Sequence, residues 1–120
     1  MHELSIAYSL VETAQETAQA ANVLGVKVVN LRLGALAGVV EEALQFGWEI
    51  ATAETLLAGA TLQIERVPLV VYCPHCAKNV ELPATHYFRC PICDTPTPQV
   101  VQGKELELVS MEVFDADPPA

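Results

Sequence analysis

Four cysteines, arranged as two Cys-x-x-Cys pairs, constrain this 120-residue chain more than any other feature. The pairs are Cys73–Cys76 and Cys90–Cys93, and the thirteen residues between them are enough for a hairpin. Two such pairs facing each other place four sulfur atoms at the corners of a tetrahedron, which is the arrangement that zinc prefers. The sequence therefore predicts a four-cysteine metal site.

The alternative use of four cysteines is two disulfides in a secreted protein. The chain starts with Met1-His2-Glu3, and no basic start followed by an apolar segment is present. We therefore expect a cytoplasmic location, where thiols stay reduced and bind metal.

Acidic residues outnumber basic residues by 15 to 6, which gives a formal net charge of −9. Such a surface repels phosphate backbones, so we do not expect a nucleic-acid partner. No apolar run approaches the roughly 18–20 residues that a membrane span needs, and we expect no membrane partner.

Hydrophobic periodicity predicts two helices, at residues 3–22 and 39–57. Gly25 is expected to end the first helix. The second helix is expected to present one apolar stripe, which consists of Val40, Leu44, Trp48 and Ala51. Strands are predicted at 26–33, 60–67 and 104–114, with a bulge near Leu108. The predicted class is α/β, with two helices packed on a small three-stranded sheet and an inserted four-cysteine, zinc-ribbon-like module. The predicted domains are 1–68 with 102–120, and 69–101. The order of the strands stays open.

The inserted module has few apolar residues, so its folding is expected to depend on metal. Four sulfur ligands leave zinc no open position for water, which favours a structural role. Iron in a rubredoxin-like site is a rival occupant. A nucleic-acid-binding ribbon is a rival function, but the module lacks a basic stripe, and Tyr87 and Phe88 are expected to pack it instead.

The N-terminus offers a second, less conspicuous metal site. The amine of Met1, the backbone nitrogen of His2 and the His2 imidazole can close adjacent chelate rings around one ion, which suits Ni²⁺ or Cu²⁺. An exposed second residue with no such role is the competing interpretation. His86, and after it His75, are candidates for a further ligand, whereas Glu3 in a first helical turn suits the helix dipole.

The combination of Met1-His2-Glu3-Leu4-Ser5-Ile6, a helix, a valine-rich strand ending in Leu33-Gly34 and two Cys-x-x-Cys pairs resembles the HypA/HybF hydrogenase maturation family. The resemblance covers essentially the whole chain, including the strand near Gly103 to Val113. It implies a nickel metallochaperone that is not an enzyme and that delivers Ni(II) as transient cargo to the large subunit of [NiFe] hydrogenase, with a HypB-type GTPase as partner.

The same resemblance implies roles for individual residues. His2 matches the essential nickel ligand, Met1 and Glu3 support it, and His86 and Glu41 are candidate further contributors. Cys73, Cys76, Cys90 and Cys93 match the ligands of one structural Zn(II) per chain. We expect a monomer or weak homodimer, with urease as an occasional alternative recipient. The competing hypothesis is a zinc-ribbon interaction adaptor that transports no metal.

Overall fold

The computed structural model describes residues 2–115, so the predicted ligand Met1 and residues 116–120 lie outside the described part. Within these residues, two helices and six strands follow one another. They are α1 (Glu3–Ala20), β1 (Gly25–Gly34), α2 (Glu41–Thr52), β2 (Thr61–Val67), β3 (Val70–Cys73), β4 (Lys78–Glu81), β5 (Val100–Gln102) and β6 (Leu106–Phe114). The predicted α/β class, with two helices, a three-stranded sheet and a four-cysteine module, is confirmed.

Helix α1 buries a stripe of small side chains that recur every three or four residues. The stripe consists of Ala7, Val11, Ala14 and Ala18. The helix ends earlier than predicted, because Asn22 adopts a left-handed backbone conformation with φ 55°. Asparagine tolerates that conformation at a helix C-terminus, so it ends the helix before Gly25, which begins β1.

Helix α2 packs on the same core through Leu44, Trp48 and Ala51. The Trp48 indole N–H donates a hydrogen bond of 2.9 Å to the carbonyl of Ala60, which satisfies the buried nitrogen. The prediction for Val40 was wrong: it precedes the helix as its N-cap residue and is 60% exposed. The helix also stops five residues before the predicted end, because Glu54 takes a left-handed conformation.

Gly47 brings the two helices close together. A Cβ atom at this position would lie 3.3 Å from the Cα of Leu4 and 3.5 Å from the Cβ of Ala7. Any larger side chain would therefore push on the first turn of α1. The absence of a side chain at Gly47 fixes where the N-terminal end of α1 lies against α2.

The sheet that carries this core has the strand order β2-β1-β6, which the sequence left open. Val29, Leu31 and Leu33 are buried on β1, and Leu62 is buried on β2. On β6, Leu108 and Met111 both pack against the core although they are three positions apart, which in a regular strand places side chains on opposite faces. The side-chain alternation therefore changes phase between them, as the predicted bulge requires.

A second three-stranded sheet, in the order β4-β3-β5, carries the cysteines. Strand β3 pairs with β4 and β5 in antiparallel fashion. This region has more apolar core than the sequence suggested: Leu69, Val71, Val80 and Leu82 are buried in one cluster with Cys73 and Cys90.

The chain divides into two compact units. The first comprises residues 1–31, 39–64 and 108–120, and the second comprises 32–38 and 65–107. The domain bounds expected from the sequence, 1–68 with 102–120 and 69–101, stay a prediction. Among the described residues, no helix is long and apolar enough to cross a bilayer.

Gly47→Val should destabilise the first unit by about 1–3 kcal/mol, because the added atoms overpack the contact with Leu4 and Ala7. Phe46→Val is the matched control, since it places valine at an exposed position of the same helix. Urea unfolding followed by Trp48 fluorescence measures both variants, because this buried residue is the only tryptophan. Equal stability of the two variants would contradict a close packing role for Gly47.

Candidate metal centre

Each Cys-x-x-Cys pair lies in a turn that the backbone shapes around sulfur. Cys73 ends β3 opposite Lys78 of β4, and the N–H of Cys76 donates a 3.3 Å hydrogen bond to the Cys73 sulfur. In the second pair, the N–H of Ile92 donates to the sulfur of Cys90 over 3.4 Å. These N–H groups stabilise the negative charge of a metal-bound thiolate.

The two turns share a backbone feature immediately after their second cysteine. Ala77 follows Cys76 with φ 54°, and Asp94 follows Cys93 with φ 60°. Both values lie in the left-handed region, which L-residues adopt at a cost. The two pairs are therefore built alike, and each turn is completed by a residue in an unfavourable conformation.

The four sulfur atoms converge on one point. The Sγ atoms of Cys73 and Cys93 are 3.5 Å apart, those of Cys76 and Cys93 are 3.6 Å apart, and those of Cys76 and Cys90 are 4.0 Å apart. All four lie within 4.8 Å of one another and form no disulfide. A tetrahedral zinc site with bonds of about 2.3 Å has sulfurs about 3.8 Å apart. The predicted cluster is thus present, and it could hold a metal ion such as zinc.

The close contact of the four sulfurs shifts the pKa values of two of the thiols in opposite directions. Hydrogen bonding with Thr95, whose hydroxyl oxygen lies 3.2 Å from the Cys93 sulfur, lowers the pKa of Cys93 to about 6. The contact with the Cys93 sulfur, followed by burial, raises the pKa of Cys76 to about 12. Four thiolates at such distances repel one another, so a bound cation is what allows all four to ionise. Thr95 was not among the residues predicted from the sequence, although its position two residues after Cys93 could have indicated a contact with the cysteine sulfur.

The other predicted residues of this unit are at its surface. His75 and His86 are exposed. Phe88 packs on the cysteine cluster as expected, but Tyr87 is 57% exposed and its hydroxyl donates to Asp94 over 3.2 Å. Tyr87 therefore does not pack the module, contrary to expectation.

At the other candidate site, the first residues of α1 are held in place by Glu3. His2 is exposed and caps the helix, and its carbonyl accepts a 2.9 Å hydrogen bond from the N–H of Ile6. Glu3 is buried, and its carboxylate accepts a 3.1 Å hydrogen bond from the N–H of Val40. Hydrogen bonds to this carboxylate, among them the one from Val40, lower the pKa of Glu3 below its usual range, so it is ionised at neutral pH.

The contact between Glu3 and Val40 joins the beginnings of both helices. Val40 is the N-cap residue of α2 and supplies no side-chain cap of its own. The Glu3 carboxylate, 37 positions away in sequence, provides a negative charge at that helix N-terminus. Glu41 begins α2 at the next position. Sequence reasoning placed Glu3 in the first turn of α1 but could not show that it caps α2.

Among residues 2–115, the four cysteines are the only group of three or more His, Cys, Asp or Glu side chains placed to share a metal ion. His2, Glu3 and Glu41 fall in the first compact unit, whereas His86 falls in the second. Their joint role in binding metal stays a prediction, and Met1 lies outside the described residues.

Ala77→Gly should stabilise the first cysteine turn by about 0.5–1 kcal/mol, because glycine adopts a positive φ freely and part of that gain is lost to a more flexible unfolded chain. Slower amide hydrogen exchange at Val71 and Tyr72 is the expected readout. The control Ala84→Gly, at a position without a positive φ, should not slow exchange. Similar slowing in both variants would refute the effect of conformation.

Comparison with known proteins agrees with the family resemblance that the N-terminal residues and the cysteine pairs indicate. A family model described as hydrogenase/urease nickel incorporation, metallochaperone, hypA, matches residues 1–113. The hydrogenase maturation factor HypA of Roseiflexus sp. (strain RS-1) is 54% identical over 120 residues, covering 100% of this chain and 98% of that protein. HypA of Chloroflexus aurantiacus (strain J-10-fl) is 54% identical over 112 residues, covering 93% of this chain and 98% of that protein.

Solved structures show the same fold. The solution structure of the Ni metallochaperone HypA from Helicobacter pylori matches with a TM-score of 0.65 and 23% identity, covering 97% of this chain and 100% of that chain. A second solution structure of a HypA protein matches with a TM-score of 0.69. The family description names a metallochaperone, which agrees with the expectation that the chain is not an enzyme. The match over residues 1–113 and the two relatives at 54% identity show that this chain belongs to the HypA family of nickel-incorporation proteins.

Proposed function

We propose that this chain is a nickel metallochaperone that binds Ni(II) at its N-terminus and delivers it to the large subunit of [NiFe] hydrogenase. Membership of the nickel-incorporation family over residues 1–113 is the observation that carries the proposal. The exposed His2 at the start of α1 supports the location of the site, because cargo must be able to leave.

The proposed nickel ligands are the amine of Met1, the backbone nitrogen of His2 and the His2 imidazole, with Glu41 and His86 as candidate contributors. Nitrogen ligands in a square-planar arrangement suit Ni²⁺, which can displace an amide proton, better than zinc. Glu3 supports this site. Its carboxylate accepts a hydrogen bond from the N–H of Val40 and thereby anchors the chain immediately after the proposed ligands. Binding should weaken in acid, where protons compete for the amine and the imidazole.

The four cysteines are the proposed site of one structural zinc ion. Three of their sulfur separations are 3.5 to 4.0 Å and all are within 4.8 Å, which suits tetrahedral zinc. Zinc supplies charge neutralisation and a crosslink between the two turns, and with four sulfur ligands it has no open position for a substrate. In this proposal the second unit, which contains the cysteines, stabilises the fold, whereas the N-terminus binds the nickel that is transported.

The proposed partners are a HypB-type GTPase and the hydrogenase large subunit, in the cytoplasm, with urease as an alternative recipient in some lineages. The proposed assembly state is a monomer or weak homodimer. The printed family description, which names both hydrogenase and urease, supports these recipients.

His2→Ala should abolish the tight Ni(II) site, because the imidazole is lost from the chelate. Calorimetric titration of untagged, zinc-replete protein measures the change, and a loss of roughly a hundredfold in affinity or more is expected for removing one of few metal ligands. Gln19→Ala is the matched control, since it truncates an exposed residue of α1 that is not a candidate ligand.

A chain extended by one residue before Met1 tests the amine separately. The extension moves the amino group out of the chelate and should weaken nickel binding while leaving zinc content unchanged. Unaltered nickel affinity in both the extended chain and His2→Ala would remove this assignment and favour the adaptor that transports no metal.

Cys76→Ser should lower the zinc content below one ion per chain and destabilise the cysteine unit. A serine hydroxyl is a poor ligand for zinc, and the three remaining sulfurs would be left without their counter-ion. His75→Ser changes the adjacent exposed residue and should keep full zinc content. Metal analysis after dialysis against a weak chelator distinguishes the variants. Normal zinc content in Cys76→Ser would show that the ion is held elsewhere.

A further inference from the structure

Large apolar side chains remain on the outer side of α1 and α2, away from the core. Leu4 and Tyr8 lie one turn apart on α1, and Phe46 and Ile50 lie one turn apart on α2. The four are between 41% and 67% exposed, with Phe46 the most exposed. We call these residues, Leu4, Tyr8, Phe46 and Ile50, the helical face.

The two halves of the helical face meet where Leu4 of α1 packs against α2. A Cβ atom on Gly47 would lie 3.5 Å from the Cδ1 of Leu4, so Leu4 lies directly against α2. Gly47 follows Phe46 and lies on the same side of the helix as Ile50. Helix α2 is thus apolar on two sides, one in the core and one in solvent. Small monomeric proteins rarely expose such clustered apolar groups unless they bind a partner.

The net charge of the chain belongs to the unit that contains this face. Ten of the fifteen acidic residues of the sequence fall within the bounds of the first unit, along with Lys27 as its only Lys or Arg. The second unit holds five acidic and five basic residues, so the formal charge of −9 belongs entirely to the first. Exposed Glu12 continues the row of Leu4 and Tyr8 along α1, and exposed Glu42 and Glu49 flank Phe46 on α2.

We propose that the helical face is the docking surface for the nickel-receiving side of the pathway, and that its occupant is a protein presenting an apolar ridge flanked by Lys or Arg. The apolar side chains supply the buried centre and the glutamates supply complementary charge at the rim. A second copy of this chain is a poor occupant, because two strongly acidic units repel each other. Nucleic acid and anionic lipid are excluded for the same reason.

The position of the face explains its use. Leu4 begins the face two residues after His2, and the bond from Val40 to Glu3 anchors the chain between them. A partner seated on the helical face therefore lies beside the proposed nickel ligands. This inference rests on the proposed function, because it names the surface through which the nickel at His2 would be handed over.

Two purified proteins serve as probes: the hydrogenase large-subunit precursor and the HypB-type GTPase from the same source. Phe46→Ala should weaken binding of at least one of them by roughly tenfold or more, as expected for an aromatic residue at the centre of an interface. Leu24→Ala is the matched control, because Leu24 is 64% exposed in the same unit but lies outside the helical face. It should bind like the unaltered chain.

The charged rim is tested by combining Glu42→Lys with Glu49→Lys. The double variant should slow association severalfold at low salt and reduce the dependence of the association rate on ionic strength. Replacing Glu54 and Glu112 with lysine instead makes the same change of charge at positions not assigned to the helical face. It should have the smaller effect.

Nickel titration of every variant separates this inference from the proposed function. Phe46→Ala is expected to keep the Ni(II) affinity of the unaltered chain while losing the partner. If Phe46→Ala binds both probes as well as Leu24→Ala does, the helical face is not the docking surface. If instead it converts a dimer of this chain to a monomer without affecting either probe, a second copy is the occupant and the proposed basic partner is wrong.

Discussion

Convergence of four sulfur atoms on one point organises the second unit of this protein. Two turns of the same design, one at the end of the β3–β4 hairpin and one around residues 90–94, bring the cysteines within 4.8 Å of one another. Such proximity is unfavourable for thiolates alone, and the opposite pKa shifts of Cys76 and Cys93 express that conflict. A cation resolves it. The left-handed residues Ala77 and Asp94 are conformational costs that metal binding offsets.

The N-terminus follows the opposite design. Its anchor is built from ordinary helix physics: Gly47 lets the helices approach, and Glu3 places a carboxylate at the N-terminus of α2. These contacts hold the chain at its third residue and leave His2 exposed. A site for cargo needs a fixed position together with access for a partner. Anchoring the chain directly behind the proposed ligands provides both.

Charge is divided between the units in the same way as the proposed tasks. The cysteine unit is formally neutral, whereas the helical unit carries the whole net charge. An acidic surface attracts cations at long range and steers basic partners toward itself. The apolar residues of the helical face can then supply short-range affinity, because burial of aromatic and aliphatic groups contributes most of the stability of an interface. The proposed nickel site and the proposed docking surface thus share one unit, and the proposed structural zinc site lies in the other.

The class of fold, the four cysteines as a metal-binding group and membership of the family could be predicted from the sequence alone. These features depend on spacing that is local: two residues between cysteines, a helical stripe from Ala7 to Ala18, and alternation along β1. Helix ends were less well predicted, because Asn22 and Glu54 adopt positive φ values that a hydrophobic pattern does not reveal. The strand order β2-β1-β6, the hydrogen bond between Glu3 and Val40, and the close approach of Gly47 to Leu4 became visible only in the folded structure. Each of these joins residues far apart in the chain, and the periodicity of one segment carries no information about which distant segment will pack against it.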